Sequence, residues 1–282
     1  MIPLEEIRRA RGRIADAVAR TPLLRLDADA PCELWLKLEC LQPIGSFKLR
    51  GALSAVRAAS AAELARGVVT ASAGNMAQGV AWAARQAGVP ARIVVPEGAP
   101  RVKLDAVERL GGEVIQVSHE EWWRTMVERG REGVEGLFVH PVEDDAVMAG
   151  NGTIGLELVE ELEAFDAVVV PWGGGGLATG IASAVRALRP GVRVVAAEPE
   201  TAAPLAASLA AGEPREIDYR PSFVDGAGGR GLLPTMWERA RELVDVAVAV
   251  PLADTAAAMR LLAARARIVA EGAGALALAA AL

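Results

Sequence analysis

Lysine is nearly absent. The 282-residue chain has three, Lys37, Lys48 and Lys103, and takes almost all of its positive charge from arginine. The arginines are spread out and the net charge is −6, so no basic arm or patch draws nucleic acid or an anionic membrane. Cysteine is as scarce: Cys32 and Cys40 cannot build a disulfide framework, nothing completes a zinc pattern, and both read as core-filling thiols. Long hydrophobic runs are missing too; the longest, residues 273–282, is too short to cross a bilayer. Residues 2–20 alternate acids with arginines as a surface helix does and lack the apolar stretch of a signal peptide, so the expected location is the cytoplasm. His119 and His140 stand far apart and read as strand-edge or surface residues rather than metal ligands.

The chain does have apolar content, 52%, arranged in short β-branched runs that alternate with longer helical stretches. Strands are predicted at residues 34–38, 67–71, 91–96, 114–117, 167–170, 192–197 and 246–250. Helices are predicted at residues 48–59, 75–87, 101–110, 153–162 and 177–188, with a further one running to Met126. That alternation implies an α/β protein with mostly parallel sheets covered by helices on both faces. The glycine-, proline- and charge-rich residues 212–234 read as a loop facing an active site.

Two segments carry chemistry. Lys48 lies in Pro-Ile-Gly-Ser-Phe-Lys-Leu-Arg-Gly-Ala, after a turn and at a helix start, where its amine can stand at the carboxyl end of a strand. Phe47 can pack behind a ring held there; taken alone, the segment reads equally as a surface lysine opening a helix. Far downstream, the strand at residues 167–170 runs into Gly173, Gly174, Gly175 and Gly176. Four glycines let successive N–H groups converge on one phosphate, and the helix that follows adds its positive end. An amine plus an anion cradle suits a lysine holding a phosphorylated aldehyde cofactor. The same glycines also fit a dinucleotide fingerprint, Gly173-x-Gly175-x-x-Ala178, with Glu198 at the end of the next strand as a ribose-binding acid. That rival explains neither Lys48 nor the loop at Ser72, and without it Glu198 is a strand-end carboxylate open to solvent. Ser72, Ala73, Gly74, Asn75 and Met76 form a strand-to-helix turn whose outward N–H groups suit a carboxylate.

Together these segments resemble the fold-type II pyridoxal-phosphate enzymes, in particular the serine/threonine dehydratase and serine racemase group. The lysine segment is similar to the family's Schiff-base motif, Ser72 to Ala81 to its asparagine loop, and Gly173 to Leu177 to its phosphate loop. Asp225-Gly226 and Glu271-Gly272-Ala273-Gly274-Ala275 stand where the family carries similar short motifs. The resemblance runs in order from about Thr21 to the end of the sequence. It implies two three-layer α/β/α domains, residues 1–50 with 145–282 forming a large cofactor-binding domain and residues 51–144 a small one. It also implies pyridoxal 5'-phosphate, a small amino-acid substrate and a homodimer or homotetramer. Lys48 is then the catalytic residue, with Phe47, Asn75, Gly173, Gly174, Gly175, Gly176 and Leu177 on the cofactor. Ser72, Ala73, Gly74, Met76, Asp225 and Gly226 face the substrate.

The family's racemases carry a serine hydroxyl where this chain has Ala73, so the resemblance favours elimination by one base: a β-hydroxy amino acid such as threonine or serine gives a 2-oxo acid and ammonia. A racemase, a β-replacement enzyme or a catalytically silent cofactor-binding relic are the alternatives on the same fold. Met76 replaces the histidine common in this loop. The cation site of some relatives is matched by Glu198 and the Ala202 carbonyl, with Pro204 in place of its acidic ligand, so no metal is expected. The sequence ends at Leu282, before the segment in which the family sets a hydroxyl against the pyridine nitrogen. A nitrogen that is solvated or met by another group is expected.

Overall fold

The computed structural model describes residues 1–282. It begins with α1 (Leu4–Ile14), strands β1 (Leu23–Leu26) and β2 (Leu34–Lys37), then helices α2 (Lys48–Ala58) and α3 (Ala61–Leu64). An alternating run follows: β3 (Val68–Ala71), α4 (Asn75–Ala87), β4 (Ala91–Pro96), α5 (Arg101–Arg109), β5 (Gly112–Val117), α6 (His119–Glu128) and β6 (Leu137–Phe138). Next come α7 (Asp145–Glu161), β7 (Ala167–Pro171), α8 (Gly176–Leu188), β8 (Arg193–Pro199) and α9 (Pro204–Ala211). The chain closes with α10 (Pro234–Leu243), β9 (Val246–Val250), α11 (Leu252–Leu261) and α12 (Gly272–Ala281). No helix is long and apolar enough to cross a membrane.

Two compact units result. The first contains Met1–Leu4, Arg20–Cys40 and Ile154–Leu282; the second contains Glu5–Ala19 and Leu41–Thr153. The division falls inside α7 and places Lys48 in the second unit, whereas the sequence reading groups residues 1–50 with residues 145–282.

In the second unit four parallel strands lie in the order β5-β4-β3-β6, with Val68 paired to Ala91 and Leu137, and Ala91 to Gly112. Successive side chains of a strand point to opposite faces. Val68, Ile93 and Val95 therefore join a core with Ala77, Val80 and Ala84 of α4 and Val107 of α5. Val69, Ala71 and Val94 turn the other way, onto Met126 and Trp122 of α6. Both faces are buried, which is why these strands read as unbroken apolar runs. The two-residue β6 escapes prediction because so short a segment has no detectable period.

Helix α2 is locked by close backbone contacts. A Cβ at Gly150 of α7 would lie 2.4 Å from the Arg50 carbonyl oxygen, and one at Gly51 would lie 2.7 Å from Val147 Cγ1. On α4, a Cβ at Gly79 would stand 3.2 Å from the Lys48 carbonyl oxygen. Arg50 is fully buried and donates to Thr153 Oγ1 at 3.0 Å and to the Ala19 carbonyl at 3.1 Å. The N-terminal turn of α2, where Lys48 sits, is thus fixed from two sides.

The first unit has the parallel sheet β7-β8-β9, with Val169 opposite Val195 and Ala197 opposite Val248. Helix α10 packs on α8 and on α9, α11 packs on α12, and α8, α9 and α12 each contact the strands. Ala197, Val250, Ala273 and Leu276 share a core, while the alternate residues Val194 and Ala196 of β8 are fully buried as well. Strands β1 and β2 form an antiparallel pair. Lys37 at the end of β2 is buried against Glu157 at 2.8 Å and Glu161 at 3.0 Å, and donates to the Thr21 carbonyl at 2.7 Å.

Two glycine substitutions separate close packing from helix propensity. Gly150→Ala forces a methyl group onto a backbone oxygen and should lower the unfolding free energy by about 1–3 kcal/mol. Gly12→Ala, in α1 with nothing within 4 Å of the new Cβ, should raise it by roughly 0.5–1 kcal/mol. Urea unfolding midpoints at constant m-value check both.

Candidate active site

Lys48 opens α2 directly after Phe47, and its backbone N–H donates to Ser46 Oγ at 3.3 Å. The side chain is partly buried. Its Nζ donates to the Pro141 carbonyl at 3.2 Å and stands 5.3 Å from the centroid of the Phe47 ring. The other two lysines are differently placed: Lys37 is consumed by its carboxylates, and Lys103 is partly buried on α5.

The Pro141 carbonyl belongs to a turn organised by His140. The sequence reading makes this histidine a strand-edge or surface residue, but it is 1% exposed. Its Nδ1 accepts from the amides of Val142 at 3.0 Å and Glu143 at 2.7 Å, so Nδ1 carries no proton. Burial first, then the Arg129 charge, push its pKa down to about 4, and the Lys48 charge acts in the same direction. His119, by contrast, is exposed at the start of α6.

The loop before α4 lies in the same unit. Ser72 follows β3 and its amide donates to Val94 O at 3.1 Å, while Ser72 Oγ accepts from the Gly74 amide at 3.3 Å. Gly74 is the N-cap and brings no side-chain acceptor, so this 13-residue helix starts without a side-chain cap, an end that suits an anionic group. Asn75 is one turn before Gly79, the residue that touches the Lys48 backbone, and so lies on the same face of α4. Ala73 packs against the unit's core, and Met76, 2% exposed, is part of that core. Methionine fills the space with an apolar side chain, leaving the backbone of the turn unchanged.

In the first unit the glycine quartet follows β7 and Trp172. Gly175 has φ +95°, and a Cβ there would lie 2.4 Å from the fully buried Trp172 ring. Only glycine fits. Gly176 begins α8, whose N-cap carries no side-chain acceptor. Gly173, Gly174 and Leu177 are accessible to different degrees, Gly174 being exposed.

Two other motifs converge on this cradle. A Cβ at Gly173 would stand 3.4 Å from the Gly226 carbonyl oxygen, and the Gly228 amide donates to the Trp172 carbonyl at 2.7 Å. A Cβ at Gly226 would lie 3.0 Å from Ala273 Cβ and 3.5 Å from Glu271 Oε1. Asp225 is exposed beside it. Bare backbone, a helix N-terminus and no room for Cβ atoms at the bend fit a phosphate group.

Glu198 is not the solvent-facing carboxylate of the sequence reading. It is fully buried, and its two oxygens accept from the amides of Leu205 at 3.0 Å and Ala206 at 2.8 Å, capping α9. Burial raises its pKa to about 7 against the pull of those two amides. With both oxygens engaged inside the fold, it cannot receive a ribose, which removes the basis of the dinucleotide alternative. The Ala202 carbonyl lies against Gly228, whose Cβ would come within 2.3 Å of it. No three histidine, cysteine, aspartate or glutamate residues are grouped to hold a metal ion. The two thiols do not fill a core either: Cys32 is exposed and Cys40 partly buried, because both stand in the turns flanking β2.

Fold and site define a pyridoxal-phosphate enzyme built on parallel α/β sheets. Residues 14–282 match the family of pyridoxal-phosphate dependent enzymes, and the chain belongs to that family. It is 40% identical to an L-threonine ammonia-lyase of Thermotoga maritima over 287 residues, covering 100% of this chain and 71% of that protein. It is 39% identical to a serine racemase of Oryza sativa subsp. indica, covering 99% of this chain and 83% of that protein. Among solved structures, maize serine racemase superposes with a TM-score of 0.94 at 36% identity, covering 99% of this chain and 86% of that one.

Two expected outcomes follow from the geometry. Gly175→Ala should weaken pyridoxal phosphate binding by about 1–3 kcal/mol, or roughly ten- to hundredfold, in an absorbance titration of the apoprotein. Glu198 binds its proton more tightly folded than unfolded, so its contribution to stability is complete below its ordinary value of 4.5 and is lost as pH rises to about 7. Glu198→Gln should therefore lack a decline of on the order of 3 kcal/mol across that window. The slope is read as wild type minus variant, because His140 contributes an opposite slope between its ordinary 6.5 and about 4.

Proposed function

We propose that this enzyme eliminates the hydroxyl group of a β-hydroxy amino acid such as threonine or serine, releasing a 2-oxo acid and ammonia. The observation that supports this reading is the methyl group at position 73. Lys48 presents an amine, and Ala73, in the loop at the start of α4, ends in a methyl group turned to the core and offers no second acid there. Elimination needs one group to take the α-proton; racemisation needs a second acid on the opposite face.

In this reading Lys48 holds the cofactor through its amine, then takes the proton from the substrate's α-carbon. When bound, pyridoxal phosphate supplies an electron sink for the charge left at that carbon. Gly173, Gly174, Gly175, Gly176 and Leu177 would hold its phosphate, Phe47 would pack on its ring and Asn75 would meet its phenolic oxygen. The turn of Ser72, Ala73, Gly74 and Met76 at the α4 N-terminus would take the substrate carboxylate, through amides other than those of Ser72 and Gly74, which are bonded to Val94 and to the Ser72 hydroxyl. Asp225 and Gly226 border the substrate beyond the cradle. The relatives named as ammonia-lyases point the same way. A homodimer or homotetramer in the cytoplasm is part of the proposal, checked for assembly by light scattering.

Racemisation is the second reading, favoured by the similarity to serine racemases of rice and maize. Supplied with L-serine and L-threonine, the enzyme should release ammonia and 2-oxo acid in equal amounts, with no D-serine. Lys48→Ala should lose the visible cofactor band and reduce turnover by about 10³-fold or more. D-serine as the main product would establish the racemase, and no product with the band intact a silent binding protein.

A further inference from the structure

We infer that His140 is a positioning residue for the Lys48 amine, acting through the Pro141 carbonyl that its imidazole holds in place. The inference rests on the proposed role of Lys48 and adds what aims that amine.

The turn after β6 is fixed at each residue. His140 Nδ1 gathers two successive amides, those of Val142 and Glu143, at 3.0 and 2.7 Å. Pro141, between them and the ring, has no N–H and a restricted φ, so the closed turn leaves its carbonyl one direction in which to point. That carbonyl accepts from Lys48 Nζ at 3.2 Å. The next residues are tied as well: the Glu143 carbonyl accepts from Arg129 Nη2 at 2.6 Å, and Asp144 Oδ1 caps α7 through Ala146 at 2.9 Å and Val147 at 3.1 Å.

A carbonyl suits this task. It only accepts, so it holds the amine in its neutral and its protonated form alike and takes no proton from it. Lysine has four rotatable side-chain bonds, and an amine that must reach one carbon atom gains from a fixed acceptor that narrows its positions. The imidazole remains neutral across the working pH range because it is buried beside Arg129 and Lys48. Its Nδ1 therefore stays available to both amides.

The test compares His140→Leu, which removes the acceptor, with His140→Asn, whose side-chain oxygen restores one near Nδ1. Pro141→Gly keeps the carbonyl and frees the turn. Each apoprotein is mixed with pyridoxal phosphate and reduced with borohydride, and the labelled lysine is located by peptide mass; with three lysines in the chain the assignment is unambiguous. Label at Lys48 in the wild type is expected, and its absence there would overturn the reading of Lys48 itself. His140→Leu should acquire label about tenfold more slowly and lose on the order of 10- to 100-fold in kcat, with KM changed less than about threefold. Asparagine should bring labelling and kcat back to within about threefold. Pro141→Gly should shift both in the same direction as leucine, and it serves alone if the leucine variant does not fold. Wild-type labelling and kcat in a folded leucine or glycine variant would sink the inference. So would a loss carried by KM alone, or an asparagine variant as impaired as the leucine one.

Discussion

The backbone of α2 meets two other helices at distances that leave no room for a single added carbon. Gly150 lies against the Arg50 carbonyl, Gly51 against Val147, and Gly79 against the Lys48 carbonyl. Close-packed interiors transmit small displacements instead of absorbing them. The role proposed for the Lys48 amine needs that stiffness, because a flexible side chain can be aimed only from a fixed root. Buried Arg50, bonded to Thr153 and Ala19, ties the same helix to the chain on either side of it.

The first unit meets a different requirement with the same means. In the proposed function it offers backbone amides to an anion, and amides are accessible only where side chains are missing. The bend at Gly175 turns over the Trp172 ring, Gly173 meets the Gly226 carbonyl and Gly226 meets Ala273, so three segments distant in sequence are brought to one place. Glu198, one strand along, works inside the fold, supplying α9 with the cap that Ala203 cannot.

Much of this was legible in the residues. Strands β3, β4, β7, β8 and β9 announce themselves as β-branched runs because both faces of their sheets are buried, and the glycine quartet and the Lys48 segment stand out by composition. What was misread shares one physical feature: how deeply a side chain is buried, which residue type and local spacing do not settle. His140 looks like a surface histidine until its amide partners are known. Glu198 looks like a strand-end carboxylate until α9 folds back over it. Cys32 and Cys40 look like core residues because thiols usually are, yet they stand in turns at either end of β2. The run from Asp145 to Gly150, which starts α7 well before the predicted helix, lacks a clear period because glycine at position 150 serves packing and not amphipathicity.

By itself the sequence determined the class of fold, the family, the amine at position 48, the anion cradle at Gly173 to Gly176 and the missing hydroxyl at position 73. These are properties of residue type and local spacing, which a linear chain displays in full. Only the tertiary structure decided that Pro141 receives the Lys48 amine, that His140 holds the turn, that Met76 belongs to the core and that Asp225-Gly226 and Glu271 gather at Gly173. Each of those depends on which groups are brought within hydrogen-bonding or van der Waals distance. Folding alone sets that, because the free energy of burying the sheets chooses the neighbours and the local sequence does not.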